Sequence, residues 1–343
     1  MVERRRKKFS WRAIIAAVLV VLALNFIRLP YFVQRPGEAK TMNNMVQVSG
    51  GYPLTGDYRL VYIYIGQANI FQYLWAQFDG NKYTTLIKEN QIKMPNEDDA
   101  AYTLRQKNYM TEAQQSAAYV AYKAAGKEAK LIREGVLILD VMPSMPSAKV
   151  LKSGDVIVGA EGRGVSSTEQ LNALVEEKRI GQPVNLKIRR GSRTKDVTVR
   201  IARFPKNIRG GGKESGIGIF QSDQVKVDVR PSVHFNIGNI GGPSAGLMMT
   251  LQIYDQLTRQ DLAKKRDIAG TGTIEMNGHV GPIGGISEKV VGASRSGADV
   301  FFAPTAQHEA EEAQRTAEDI GTGMKIVPVS TFQDALDYLK ETD

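Results

Sequence analysis

The chain has 343 residues, 42% of them hydrophobic and 24% charged, a balance that supports large buried cores and excludes wholesale disorder. It has no cysteine, three histidines (His234, His279, His308) and no HExxH pattern, so thiolate chemistry and Cys-ligated zinc are excluded and no metal or cofactor is expected. Six of the basic residues behind the net charge of +9 fall within residues 1–12. The positive charge therefore belongs to the N-terminus, and no nucleic-acid partner is expected.

After that basic start comes an apolar run, Ala13 to Ile27, which resumes from Leu29 to Val33 beyond a single Arg28. The run predicts a transmembrane signal anchor over 11–33, with interfacial aromatics Trp11 and Tyr31 at its ends. A cleaved signal peptide shares the pattern, but the A-x-A-like site near Ala23 is poor. The positive-inside rule places residues 1–10 in the cytoplasm and the rest outside, a single-pass protein of the cell membrane.

Residues 34–56, rich in Gly, Pro and Asn, read as a linker. Tyr58 to Ile65 alternates like a strand, while Asn69 to Phe78 and Thr111 to Ala125 read as helices, the latter stopped by Gly126. Gly135 to Val141 is the next strand. A turn from Pro143 to Ala148, a strand ending at Ala160, a helix from Ser167 to Glu177 with Ser167 as N-cap, and a hairpin of Val184–Arg190 and Lys195–Ile201 follow.

This order, with Ser153-Gly154-Asp155-Val156-Ile157, resembles a bacterial PDZ domain over 131–204. The resemblance implies a groove that takes an extended peptide as an added strand. It would lie between the Val136–Val141 strand and the Ser167–Glu177 helix, with Gly135, Val136, Leu137 and Ile138 on its wall. A small β-rich spacer with an empty groove is the alternative. The Gly210-Gly211-Gly212 stretch that follows lacks the spacing of a phosphate loop and reads as a flexible linker, so no ATP is expected.

Gly241-Gly242-Pro243-Ser244-Ala245-Gly246 delivers a serine to the first turn of a helix running to about Leu257. Backbone N–H groups cluster at such a terminus and can hold a developing oxyanion. Small residues such as Gly242 and Ala245 let a substrate backbone approach. Thr271-Gly272-Thr273-Ile274 and Val280 flank a tight Asn277-Gly278 turn. Then Ser287-Glu288-Lys289 opens a helix ending at Gly297. A lysine in a helix's first turn is disfavoured as a cation; burial would lower its pKa further and let it take the serine proton. A serine N-cap and a solvated lysine are the plainer readings of each residue alone.

Together, G-P-S-A-G, T-G-x-I and P-I-G-G-I-x-E-K resemble the proteolytic domain of Lon proteases. That resemblance implies Ser244 as nucleophile, Lys289 as general base, and Thr271 in support of the lysine. It also implies an α+β fold, the Lon-type (ribosomal protein S5 domain 2-like) domain, with an inserted PDZ domain and one N-terminal transmembrane helix. Its leading part would be 57–130 and its catalytic core 205–343. Many Lon enzymes carry an acidic residue where this chain has Gly241. The overall order resembles single-pass PDZ/Lon-type proteases of Gram-positive bacteria, a streptococcal member of which processes a secreted quorum-sensing peptide. It implies an ATP-independent endopeptidase of extracytoplasmic peptides. A non-catalytic PDZ scaffold or chaperone is the competing reading, and a phosphate-binding enzyme a weaker one.

Overall fold

The computed structural model describes residues 11–205 and 214–342. The basic segment 1–10 and the Gly-rich linker at 209–213 lie outside the described residues. In chain order, α1 (Trp11–Phe26) leads into β1 (Arg28–Thr41), β2 (Val46–Val48) and β3 (Asp57–Asn69). Next come α2 (Ile70–Phe78), β4 (Thr85–Lys88), a short α3 (Glu89–Ile92) and a long α4 (Asp99–Ala124). β5 (Ala129–Val141), β6 (Val156–Ala160), β7 (Arg163–Gly164), α5 (Thr168–Glu176), β8 (Pro183–Arg190) and β9 (Arg193–Arg200) follow. After β10 (Ala202–Arg203), β11 (Ser215–Gly216) and β12 (Ile219–Val229) come β13 (Val233–Phe235), α6 (Gly246–Leu257), β14 (Asp267–Gly270), β15 (Thr273–Ile274) and β16 (Val280–Gly281). The chain ends with α7 (Ile286–Arg295), β17 (Val300–Pro304), α8 (Glu309–Asp319), β18 (Lys325–Val329) and α9 (Phe332–Glu341).

The main sheet has the order β18-β17-β14-β3-β1-β4. β3, β14, β17 and β18 run parallel, and β1 runs antiparallel to both its neighbours. Strand alternation sends Leu60 and Phe302 to one face and Val61 and Phe301 to the other. The first face packs against α4, α6 and α9, the second against α7 and α8. Phe301 and Phe302 are both fully buried, and truncating either to alanine would cost about 3–5 kcal/mol. Segments before and after the second unit thus share one sheet.

That second unit is the sheet β12-β5-β6-β8-β9 with α5, closed on its own core of Val136, Ile138, Ile157, Leu171, Leu186 and Ile188. Ser167 caps α5 by accepting from the Gln170 N–H, as its sequence predicts. A long two-stranded ribbon joins the unit to the main body. Residues 129–133 of β5 pair with 225–229 of β12 beside α4, where the Val227 N–H donates to Gln115 Oε1 at 2.6 Å. A register shift between Gln224 and Val225 separates this half from the half inside the unit. Because β12 completes the unit's sheet, the unit extends past the expected boundary at 204.

Two expectations for the N-terminal part are corrected. The apolar run is not one helix over 11–33: α1 stops at Phe26, and Phe32 is a buried strand residue paired with both β3 and β4. The described residues of α1, Trp11–Phe26, span roughly 24 Å at 1.5 Å per residue. Among the described residues, no helix is long and apolar enough to cross a membrane. Nor is 34–56 a linker, since it holds most of β1 and all of β2. Its Pro36-Gly37 marks a register shift in β1, where a Cβ on Gly37 would meet Tyr62 O at 2.2 Å. α4 begins a dozen residues earlier than expected. Asp98 caps it by accepting from the Ala101 N–H, and its polar first half buries Arg105 against Glu97.

Candidate active site

The loop before α6 is set by glycine geometry. Gly242 has φ +88°, which a side chain would strain, and its N–H donates to the main-chain carbonyl of Gln106 on α4 at 2.9 Å. Ser244 follows, two residues before the start of α6. Its carbonyl accepts from the Gly272 N–H at 2.9 Å and from Thr271 Oγ1 at 3.1 Å. Gly246 lets α6 approach β15 closely, since a Cβ there would meet Ile274 Cγ2 at 2.7 Å. Every residue of α6 is buried, so the loop that carries the serine leads straight into a rigid element.

Lys289 is in the first turn of α7, behind Gly285 in the left-handed conformation. It is 3% exposed. Its Nζ lies 2.8 Å from Ser244 Oγ and 2.9 Å from Thr271 Oγ1. Burial pulls its pKa down to about 7, against the opposing pull of the Glu309 and Glu288 carboxylates. Neither carboxylate forms an ion pair with it. Glu288 accepts from Gln34 Nε2 at 2.8 Å and from Thr85 Oγ1 at 3.2 Å, and Glu309 accepts from the Ile283 N–H at 2.9 Å. Burial raises the pKa of Glu309 itself.

The pair opens onto a cleft of about 720 Å³, lined by Leu60 to Ile65 of β3, Tyr102 and Gln106 of α4, residues 239–245, and Ile283 and Gly284. β14 ends at Gly270 opposite Leu60, so β3 from Val61 onward pairs only with β1. Its other edge faces the cleft.

Ser244, Lys289 and Thr271 thus meet, although 45 residues separate the first two. The Gly242 N–H is not free to hold an oxyanion, because the Gln106 carbonyl accepts it. The N–H groups of Ser244 and Ala245 bond to no acceptor among the described residues. None of the three histidines bonds to Ser244: His234 lies beside Ser49 and Ser232, His308 beside Glu311, and His279 in the turn after β15.

The expected PDZ wall is also corrected. Gly135, Val136, Leu137 and Ile138 pair with Gln224, Asp223, Ser222 and Gln221 on one edge. On the other, Val136 and Leu137 pair with Ile157 and Val156, and the Ile138 N–H goes to Asp155 O. No edge remains for an added strand. The strand beside α5 is β12, where Gln221 Nε2 donates to Asn172 Oδ1 at 2.8 Å and the Thr168 N–H to Asp223 Oδ1 at 2.6 Å. Little in the sequence signals this pairing, because β12 lies beyond a Gly-rich stretch. Gln106 was likewise missed; it sits in the polar half of α4, far from the motifs.

Residues 213–341 match the family described as the Lon protease (S16) C-terminal proteolytic domain, and residues 110–201 match the PDZ domain family. Among curated relatives, the Lon protease of Azospirillum brasilense is 36% identical over 97 residues, which is 28% of this chain and 12% of that one. The Lon protease of Campylobacter concisus is 39% identical over 95 residues, 28% of this chain and 11% of that one. That of Mycoplasma mycoides is 32% identical over 115 residues, 33% of this chain and 14% of that one. The chain therefore spans only a small fraction of the length of these relatives. The PDZ domain of the SdrC-like protein of Listeria monocytogenes is 24% identical, covers 27% of this chain and 92% of that one, and has a TM-score of 0.24. The chain carries a serine peptidase domain of the Lon (S16) kind together with a PDZ domain.

Proposed function

We propose that the chain is an ATP-independent serine endopeptidase that works through a Ser244–Lys289 dyad. The observation that carries this reading is the buried Lys289 amine 2.8 Å from Ser244 Oγ. With a pKa near 7, a large share of that amine is neutral at physiological pH and can accept the serine proton as Oγ attacks a peptide carbonyl. Thr271 Oγ1 holds the amine on the serine. The N–H groups of Ser244 and Ala245 stabilise the tetrahedral oxyanion. The protonated lysine then gives that proton to the amine as the C–N bond breaks, and the neutral lysine next activates a water that hydrolyses the acyl-enzyme and frees Ser244.

The substrate is an extended peptide. It adds as a strand along the free edge of β3 from Val61 to Ile65, with its scissile bond at the dyad. A second extended segment docks on β12 beside α5. The substrates are extracytoplasmic, a secreted signalling peptide being the leading candidate, and the chain is held at the cell membrane by its N-terminal segment. The exposed apolar surface of α1, which includes Ile14, Leu19, Leu22 and Phe26, supports the anchor.

The test is incubation of the full chain with secreted peptides, wild type beside Ser244→Ala, read by mass spectrometry without nucleotide. Cleavage in wild type alone is expected. Cleavage that persists in Ser244→Ala, or that needs ATP, would overturn the reading. Binding without cleavage would favour the non-catalytic scaffold.

A further inference from the structure

The helix α2 carries Phe71, Leu74, Trp75 and Phe78 at i, i+3, i+4 and i+7, one apolar stripe. In a soluble helix such a stripe faces the core. Here α2 has no buried residue, and Trp75 and Phe78 are 44% and 83% exposed. Tyr64 and Ile65, at the adjoining end of β3, are also exposed and extend the patch.

The position of the helix indicates what covers it. Asn69 caps α2 by accepting from the Gln72 N–H at 2.8 Å. Its Nδ2 donates to Asn25 Oδ1 at 2.6 Å, one residue before α1 ends. One side chain thus ties the start of α2 to the end of the exposed apolar α1. The opposite side of α2 is held to the body by Tyr73, whose ring lies 5.0 Å from that of Tyr31 in β1. The stripe is left outward at the place where α1 leaves the folded body. A second copy of the chain is a poor occupant: α2 is roughly 14 Å long, far too small for the ~800 Å² per partner of a stable interface.

We propose that α2 is a second membrane contact, lying in the headgroup region of the bilayer that α1 enters, with Trp75 and Phe78 pointing into it. The inference rests on the anchor reading above. An amphipathic helix of this kind seats its apolar face roughly 5–10 Å into the headgroup boundary. Tyr64 and Ile65 also line the active-site cleft, so one end of the cleft then opens at the membrane surface.

The chain has two tryptophans, which makes the test direct. The full-length Trp11→Phe variant, reconstituted in phosphatidylcholine vesicles, leaves Trp75 as sole reporter. Lipids brominated high on their chains should quench its fluorescence by roughly twofold, the shallow depth of an interfacial helix. Fluorescence unchanged from that in unbrominated vesicles would overturn the inference. The companion Trp75→Phe variant reports on Trp11 at the other end of α1. Quenching of Trp11 without quenching of Trp75 sinks the α2 contact and leaves the anchor standing; quenching of neither sinks both. The chain has no native cysteine, so Phe78→Cys offers a second check. Ready disulfide dimerisation through it would mean that a second copy covers the stripe, and would also overturn the inference.

Discussion

The main-chain carbonyl of Gln106 accepts the Gly242 N–H at 2.9 Å, and the Cβ of the same Gln106 stands 2.9 Å from where a Cβ on Gly241 would be. The long helix α4 therefore sets the loop that carries Ser244. It also explains the glycine at 241: an acidic side chain there would push the loop off α4.

Gly241→Ala should accordingly lower kcat by about tenfold to a hundredfold, since a displacement near 1 Å at the nucleophile is enough for that. Adding Gln106→Gly should restore part of the rate, at a helix cost of about 1 kcal/mol in stability. Steady-state kinetics on a short peptide decide the matter. Wild-type turnover in Gly241→Ala would mean that the contact does not position the serine.

Lys289 also governs stability as a function of pH. Its folded-state pKa of about 7 lies below the ~10.4 of an unfolded lysine. Between those values the unfolded chain binds the additional proton, so this group makes stability rise with pH across the window. Lys289→Met removes the effect. From pH ~7.5 to ~9.5, wild type should gain on Lys289→Met by roughly 1 kcal/mol per pH unit. Denaturant midpoints of both proteins at the two ends test this, and parallel pH profiles would contradict it.

Thr271 touches both partners, accepting from Lys289 Nζ and donating to the Ser244 carbonyl. Thr271→Val keeps the shape and removes both bonds. We expect kcat to fall by about tenfold or more with KM little changed, because the lost contacts orient the base rather than bind substrate. An increase in KM at unchanged kcat would place Thr271 in substrate binding instead.

The reassigned docking strand is open to hydrogen exchange. Backbone amides of Gly135 to Ile138 should be protected before any peptide is added, because neighbouring strands already pair them. A bound peptide should add protection on the β12 side facing α5. New protection confined to 135–138 would restore the groove expected from sequence.

The meeting of Ser244 and Lys289 was legible because Gly, Pro and Ser at fixed spacing encode a turn into a helix, and Ser287-Glu288-Lys289 encodes a helix start. The hairpin around Asn277-Gly278 and the Ser167 cap were readable for the same local reason. Long-range pairing was not. Nothing in Pro36-Gly37 says that the chain there crosses beneath α7 rather than forming a linker, yet a Cβ on Gly292 of α7 would meet Gly37 O at 2.8 Å. The apolar Leu29 to Val33 stretch serves a sheet as well as it would a membrane helix, and only its partners in β3 and β4 distinguish the two. The choice between β5 and β12 as the edge strand is likewise a matter of which strand ends up outermost.

Neutral Lys289 is proposed as the base for Ser244, and the decisive measurement is the pH–rate profile of wild type beside Lys289→Arg. Wild-type kcat/KM should rise through a pKa near 7 as the amine loses its proton, then level off. Lys289→Arg keeps a cation but offers no neutral base at accessible pH, so it should lose activity about as completely as Ser244→Ala, and the double variant should lose no more. Near-wild-type turnover in Lys289→Arg at neutral pH would mean that another group is the base.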